Sequence, residues 1–282
     1  MTSWRYYLRS LVVVSVALAA VACNTARFGA KSTAEGQSQS NSKVVFVLFD
    51  LSASTEKPEV RQRYLTDFER IVKNLQSDDV IVADEITDNP LADSTFPINA
   101  SIHKYNPFTD NDLRYNRQLG ELRQQLVKDA EAILIGQGGP SAAPQGKGEA
   151  SPPAGQPKKY MQTKILDSLE LAQRVFATYQ RNRQVLVIFS DMVEESEHYN
   201  FRHGRLTGAR IQQIITQQKA RESLPGLNGV QVYVAGAAQG AYGHMPSDQV
   251  HWIENFWMEY FKACGADLPR TRYGSALLEP PQ

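Results

Sequence analysis

The sequence is poor in cysteine, in unbalanced charge and in long apolar runs, and each shortage removes a class of protein. With only Cys23 and Cys264 among 282 residues, an exported form could close at most one disulfide, and none once Cys23 is modified. Its stability must therefore come from a hydrophobic core. The 30 Lys and Arg against 30 Asp and Glu leave no net field to gather polyanions, so no nucleic acid partner is expected. The most apolar stretch, residues 11–22, is 12 residues long, whereas a helix that crosses a bilayer needs roughly 20.

That stretch has a different use. Arg5 and Arg9 precede it and small residues end it, which is the anatomy of an export signal over residues 1–23. Ala20-Val21-Ala22 suits ordinary signal peptidase, while Ala22-Cys23 resembles a bacterial lipobox, in which Cys23 becomes an acylated N-terminus. The expected location is the cell envelope, with the chain lipid-anchored through Cys23 at the outer membrane or periplasmic face of a diderm, or secreted where Cys23 is not acylated. The mature chain would keep 28 basic and 30 acidic side chains. Residues 24–42, dominated by Ser, Gln, Gly and Asn, read as a flexible tether about 25 Å in span.

From Lys43 the pattern is that of one domain, expected over residues 43–265, with 266–282 as a C-terminal tail. Val44 to Phe49 is an apolar, β-branched run too short for a helix and reads as a buried parallel strand. Val60, Tyr64, Phe68, Ile71 and Val72 recur at helical spacing behind Pro58. Short strands are expected at residues 79–83 and 97–105, the latter at an edge because Pro97 opens it. A long polar helix is expected from about residue 110 to 134, capped by Thr109. Residues 136–158, crowded with Gly, Pro, Ala and Ser, read as a disordered internal loop ending close enough to residue 163 to shield whatever lies there. Further helices are expected at 164–179, 207–222 and 247–264, alternating with strands at 184–189 and 230–235. Such alternation specifies an α/β fold: a doubly wound, mostly parallel sheet with helices on both faces and one antiparallel edge strand.

The chemistry gathers at strand ends. Asp50-Leu51-Ser52-Ala53-Ser54 follows the first strand, placing a carboxylate and two hydroxyls in one turn where open α/β sheets bind ligands. All three are hard oxygen donors of the kind Mg²⁺ takes. Thr163 stands just before a helix, and Asp191 just after the strand that follows it. In this order and spacing the chain resembles the von Willebrand factor A family over about residues 43–262. The resemblance implies a Rossmann-like fold with a metal-ion-dependent adhesion site. It further implies that Ser52, Ser54 and Thr163 hold Mg²⁺ (Mn²⁺ or Ca²⁺ as alternatives) through their hydroxyls, and that Asp50 and Asp191 act mainly through bound waters. The ion's open position would then accept a Glu or Asp carboxylate from a partner protein. Two departures are visible: Met192 and Gln162 stand where family members often carry glycine.

Other readings carry less. Glu194, Glu195, Glu197, His198 and His203 fit no zinc spacing and are expected in a solvated loop that can rim Asp191. Asp84 and Glu85 are adjacent, so on a strand they point to opposite faces. Cys264 falls on an apolar helical stripe with Ile253, Phe256, Trp257, Tyr260 and Phe261, as a buried inert thiol would. No catalytic residue is expected. The alternatives are a metal-dependent phosphohydrolase with Asp50 as nucleophile, which would want an acid where Ser52 stands, and an envelope scaffold with a vestigial site.

Overall fold

The structure, a computed structural model, describes residues 42–135, 160, 162–180, 182–238 and 245–281. The export signal, Cys23, the tether up to residue 41 and the 136–158 loop lie outside the described residues.

The first strand, β1 (Lys43–Asp50), is buried at every position because it lies at the centre of the sheet. In chain order there follow α1 (Pro58–Lys73), β2 (Val80–Ile86), α2 (Pro90–Asp93), β3 (Ile98–Ser101), α3 (Asp112–Ile135), α4 (Ile165–Thr178), β4 (Arg183–Phe189), α5 (Gly208–Ala220), β5 (Gln231–Ala235), α6 (Ser247–Ala263) and β6 (Tyr273–Gly274). The sheet order is β3-β2-β1-β4-β5-β6, parallel throughout except for the β2–β3 pair.

Period-two alternation along β1 feeds two cores. Val45, Val47 and Phe49 pack under α1 and α3, whereas Val44, Phe46 and Leu48 pack under α4, α5 and α6. Burying an aliphatic or aromatic side chain of this kind contributes about 1.5–3 kcal/mol before entropy is counted, so the β1 stripe is a large part of what makes the sheet cohere. The stripe expected on the last helix is found on α6, with Phe256, Trp257, Tyr260 and Phe261 all fully buried.

The differences from expectation have local causes. β3 is the antiparallel edge strand and is shorter than expected: its last rung to β2 is the Ile102 amide on the Asp79 carbonyl at 2.8 Å, after which the chain turns away, with the Tyr105 amide on Ser77 Oγ at 2.7 Å. α3 begins at Asp112, where Asn111 Oδ1 accepts the Arg114 amide at 3.0 Å and takes the capping role expected of Thr109. The segment expected as a tail packs on the domain: residues 273–274 form β6, the Leu277 amide bonds Asp67 Oδ2 at 3.0 Å, and Lys43 Nζ donates to the Pro281 carbonyl at 3.0 Å. α2 and β6, at four and two residues, are too short for periodicity to reveal.

Candidate metal centre

Every parallel strand ends at the same edge of the sheet, and the order of strands reverses between β1 and β4. The chain leaving β1 returns over one face and the chain leaving β4 over the other, which opens a crevice between the two strand tips. Asp50 is the last residue of β1, and Asp191 stands two residues beyond β4.

Local bonding folds the turn after β1 so that its hydroxyls converge. The Ser52 amide bonds Asp50 Oδ1 at 2.9 Å, and Thr55 Oγ1 donates to the Asp50 carbonyl at 2.6 Å. The chain then closes through a short 3-10 helix at Ala53–Thr55, which brings Ser52 Oγ and Ser54 Oγ within 2.9 Å of one another. Across the crevice, Ser190 Oγ donates to Asp50 Oδ2 at 2.6 Å and accepts the Met192 amide at 2.9 Å. Asp191 Oδ1 takes the Val193 amide at 3.1 Å, but its Oδ2 is buried and has no hydrogen-bond partner.

Thr163 reaches this edge by a different route. Tyr160 bridges to Ser52 in parallel, and Thr163 pairs with Glu195 through reciprocal backbone bonds of 2.9 and 3.0 Å. The strip carrying Thr163 therefore lies between the turn after β1 and the loop after β4. The structure ties Asp50, Ser52 and Ser54 together by direct contacts, places Asp191 opposite them, and sets buried Thr163 beside them through its backbone.

The electrostatics of the crevice favour a cation. Burial raises both carboxylates above the usual range, and Asp191 is pushed up to about 7, first by desolvation and then by the nearby charge of Asp50. Two buried acids, one of them raised further by the charge of the other, an orphaned Oδ2 and a pair of convergent hydroxyls form a donor set that a small hard cation would satisfy. Among the described residues there is no group of three or more His, Cys, Asp and Glu able to hold a metal. The candidate donors are instead two carboxylates with up to three hydroxyls, a weakly charged set that would leave an ion electrophilic.

Met192 explains a sequence departure. Its φ is +66°, a conformation that glycine adopts at no cost and that strains other residues by about 1–2 kcal/mol. The strain is held by neighbours: Trp257 Nε1 donates to the Met192 carbonyl at 2.8 Å, and the Met192 side chain is fully buried against α6 and the rest of that core. Gly236, at the end of β5, has φ +103°, and a Cβ there would meet Tyr64 Oη at 2.2 Å and the Ser190 carbonyl at 2.9 Å. Only glycine fits between α1 and the strand tip.

The remaining candidates sort cleanly. Glu194 is not solvated; it is fully buried, and its Oε2 accepts the Leu166 amide at 3.1 Å, supplying the N-terminus of α4 with the acceptor that Lys164 does not provide. Glu195 pairs with Arg202, and Glu197 with Lys164 at 3.0 Å, so both rim the site as ion pairs. Asp84 is buried on one face of β2 and Glu85 receives the Tyr160 hydroxyl on the other. Cys264 is buried, and burial pushes its thiol up to about 12. Ser190, which locks Asp50 to β4, was visible in sequence only as one more residue beside Asp191.

No protein-family profile and no curated protein matches this chain. Among solved structures it is similar to a von Willebrand factor type A protein from Catenulispora acidiphila, with 12% identity over 80% of this chain and 43% of that one and a TM-score of 0.36. It is also similar to manganese-loaded TRAP protein of Plasmodium vivax, with 12% identity over 84% and 68% of the two chains and a TM-score of 0.35. A third is an aerotolerance-related membrane protein from Bacteroides fragilis, studied with multiple mutations to serine, with 13% identity, coverage of 79% and 89%, and a TM-score of 0.37. This chain thus spans less than half the length of the Catenulispora protein. At these scores the strand order, with β3 antiparallel at the edge, is what sets the fold.

The doubly wound sheet with one antiparallel edge strand is the fold that the resemblance to the von Willebrand factor A family implies. No helix among the described residues is long and apolar enough to cross a membrane.

Proposed function

We propose that this chain is an envelope-anchored protein-binding module that uses a Mg²⁺ site to capture a carboxylate of a partner protein. The observation that carries the reading is the convergence of three loops on one crevice, where Ser52 and Ser54 hydroxyls meet across from the orphaned Asp191 Oδ2. Ser52, Ser54 and Thr163 would hold the ion by their hydroxyls, with Asp50 and Asp191 behind them. When bound, the ion supplies an electrophilic position for a Glu or Asp side chain. The protein's own work is positional. Ser190 and the Ser52 amide fix both oxygens of Asp50, and Trp257 fixes the loop that carries Asp191. The manganese in the Plasmodium structure makes Mn²⁺ a useful probe, with Ca²⁺ as a further candidate.

The same observations argue against Asp50 as a phosphohydrolase nucleophile, because it is fully buried and both its oxygens already accept hydrogen bonds. Anchoring through Cys23 is part of this proposal, with release into the medium as its alternative; a Cys23→Ala chain that still fractionates with membranes would end it. Titration calorimetry of the mature chain with Mg²⁺ and Mn²⁺ tests the site. One bound ion is expected, lost in Asp50→Ala, and the absence of binding overturns the reading. Pull-downs from membranes with and without EDTA separate adhesion from scaffolding, since capture indifferent to EDTA would mean that the site is vestigial.

A further inference from the structure

The edge of the sheet opposite the metal centre departs from ordinary surface chemistry. α3 has 24 residues, roughly 36 Å of helix, while the 8 residues of β1 span roughly 26 Å. Its buried residues, Leu126, Ala130 and Leu134, all lie in its second half, and the Leu134 carbonyl accepts from Arg61 in the first turns of α1 at 2.8 Å. The C-terminal end of α3 is thereby fixed at the metal edge, so the excess of about 10 Å overhangs the other edge.

The loop feeding α3 is pinned at that overhang by Lys104, which pairs with Asp78 at 3.6 Å, and by the Tyr105–Ser77 bond. Tyr105 and Tyr115 set their rings 4.9 Å apart, and the Tyr105 hydroxyl donates to Asp112. From this braced base Phe108 stands 95% exposed and Leu113 82% exposed. Leu278, 73% exposed, lies toward the same edge, where Arg70 near the end of α1 holds its carbonyl. Of the four large exposed hydrophobic side chains among the described residues, three therefore sit at one edge. That edge is where β1 begins, with the Lys43 amide bonded to Asp79 Oδ1 at 2.9 Å, and so it is where residues 24–42 join the domain.

We propose that the 105–115 tip is a membrane-contact element, in which Phe108 and Leu113 enter the headgroup region of the phospholipid bilayer to which the chain is tethered. The occupant follows from where the chain outside the structure ends. Read as a flexible chain, residues 24–42 have an average span of about 25 Å, so this edge, where they join, lies on average nearer than the metal edge to a lipid surface anchored at Cys23. Two apolar side chains bind a bilayer only weakly from free solution, but a short tether gives them an effective concentration in the millimolar range. Asp110 and Asp112 are engaged within the tip, by His103 at 3.0 Å and by Tyr105, and exposed Arg114 offsets part of their charge, so no strong charge of one sign draws the tip to anionic lipid. The contact is therefore apolar, indifferent to salt and present on zwitterionic bilayers. Its consequence is orientation, with the tip inward and the metal crevice facing away from the membrane.

The proposal rests on the anchored reading of the chain, so the experiment supplies its own anchor. The mature chain with an N-terminal histidine tag replacing Cys23 is held on phosphatidylcholine vesicles by a nickel-chelating lipid, with plain or brominated acyl chains. Phe108→Trp reports depth, and the unsubstituted chain gives the background from Trp252 and Trp257. Emission from Phe108→Trp is expected to fall about twofold on brominated vesicles relative to plain ones, to do so equally in high salt, and to recover when Leu113→Asp is added. Equal emission on the two vesicle types while the protein stays bound overturns the proposal. So does a dimer in sedimentation velocity that Leu113→Asp abolishes without any quenching, which would assign the patch to a second copy of the chain. Because the tag does the tethering, a failure here leaves the Cys23 reading untouched, and a native Cys23→Ala chain that remains in membranes would fail that reading alone.

Discussion

The two edges of the sheet break opposite rules. At the carboxyl edge polar groups are buried: Asp50, Ser52, Ser54, Thr163, Ser190, Asp191 and Glu194 are all removed from water, and Asp191 Oδ2 has no hydrogen-bond partner. At the amino edge apolar groups are exposed, with Phe108 and Leu113 standing in solvent beyond the end of the sheet. Buried polar groups and exposed large apolar ones are the informative departures in a folded chain, because neither is favoured by folding alone. One edge spends stability on the crevice, and the other gives up burial that α3 could have had. Each departure points to something the domain meets from outside, an ion at one edge and an apolar surface at the other.

The comparison breaks most sharply at Gly236. Gly236→Ala pushes a Cβ against Tyr64 Oη at 2.2 Å and the Ser190 carbonyl at 2.9 Å, at a φ that alanine resists. The expected cost exceeds about 4 kcal/mol in urea melts, with Mg²⁺ binding lost as Ser190 shifts. Adding Tyr64→Phe removes the nearest atom and should recover part of the stability. Full stability in the single variant would show that the carboxyl edge is far softer than its packing implies.

Glu194 gives the carboxyl edge a pH signature. Burial raises its carboxyl to about 8 in the fold, against 4.5 for an ordinary glutamate. The folded state therefore holds a proton that the unfolded state has released, so between pH 4.5 and 8 stability falls as pH rises, and above 8 the loss is complete. The loss is on the order of a few kcal/mol, the α4 N-terminal amides having already offset part of the cost of burial. Glu194→Gln should remove this component while keeping a side-chain acceptor at the Leu166 amide. Thermal melts from pH 5 to 8 in EDTA, compared between the two proteins, check it; parallel curves would mean that Glu194 is ionised throughout.

Much of this was legible before the structure. Periodicity located the long elements, and β1 was plain because a buried parallel strand has no polar alternation to hide it. Asp50, Ser52 and Ser54 were legible because a turn at a strand tip keeps its polar groups adjacent in sequence. What stayed hidden depended on partners distant in sequence. Glu194 looked like one more acid in a polar run, and its burial is explained only by the N-terminus of α4, 28 residues away. Ser190 had no role until Asp50 came within 2.6 Å across the strand pair. Phe108 and Leu113 were unremarkable in sequence because exposure is not a property of a residue type. The segment after α6 read as a tail because its anchors, Asp67, Arg70 and Lys43, lie more than 200 residues earlier.

Trp257 tests whether the core reaches into the crevice. Trp257→Phe keeps an aromatic on α6 but leaves the Met192 carbonyl without its donor, and should cost about 2 kcal/mol. Because Met192 sits in a strained conformation next to Asp191, Mg²⁺ affinity should fall as well, by about two- to tenfold, and calorimetry would read it. A stability loss with unchanged affinity would confine Trp257 to the core and leave the loop after β4 rigid without it.

The smallest effect is expected at the other edge, and it is the sharpest test of the contrast because both arms lie on one helix. Leu126 is buried under α3, and Leu126→Ala should cost about 2–4 kcal/mol through the cavity it leaves. Leu113 is 82% exposed on the same helix, so Leu113→Ser, alone or with Phe108→Ser, should change stability by less than about 0.5 kcal/mol. Equal costs at the two positions in chemical denaturation would show that the overhang packs against the domain in solution, which would leave no apolar surface for a membrane to meet. A near-zero cost at Leu113 would mean that the fold itself gains nothing from the apolar tip.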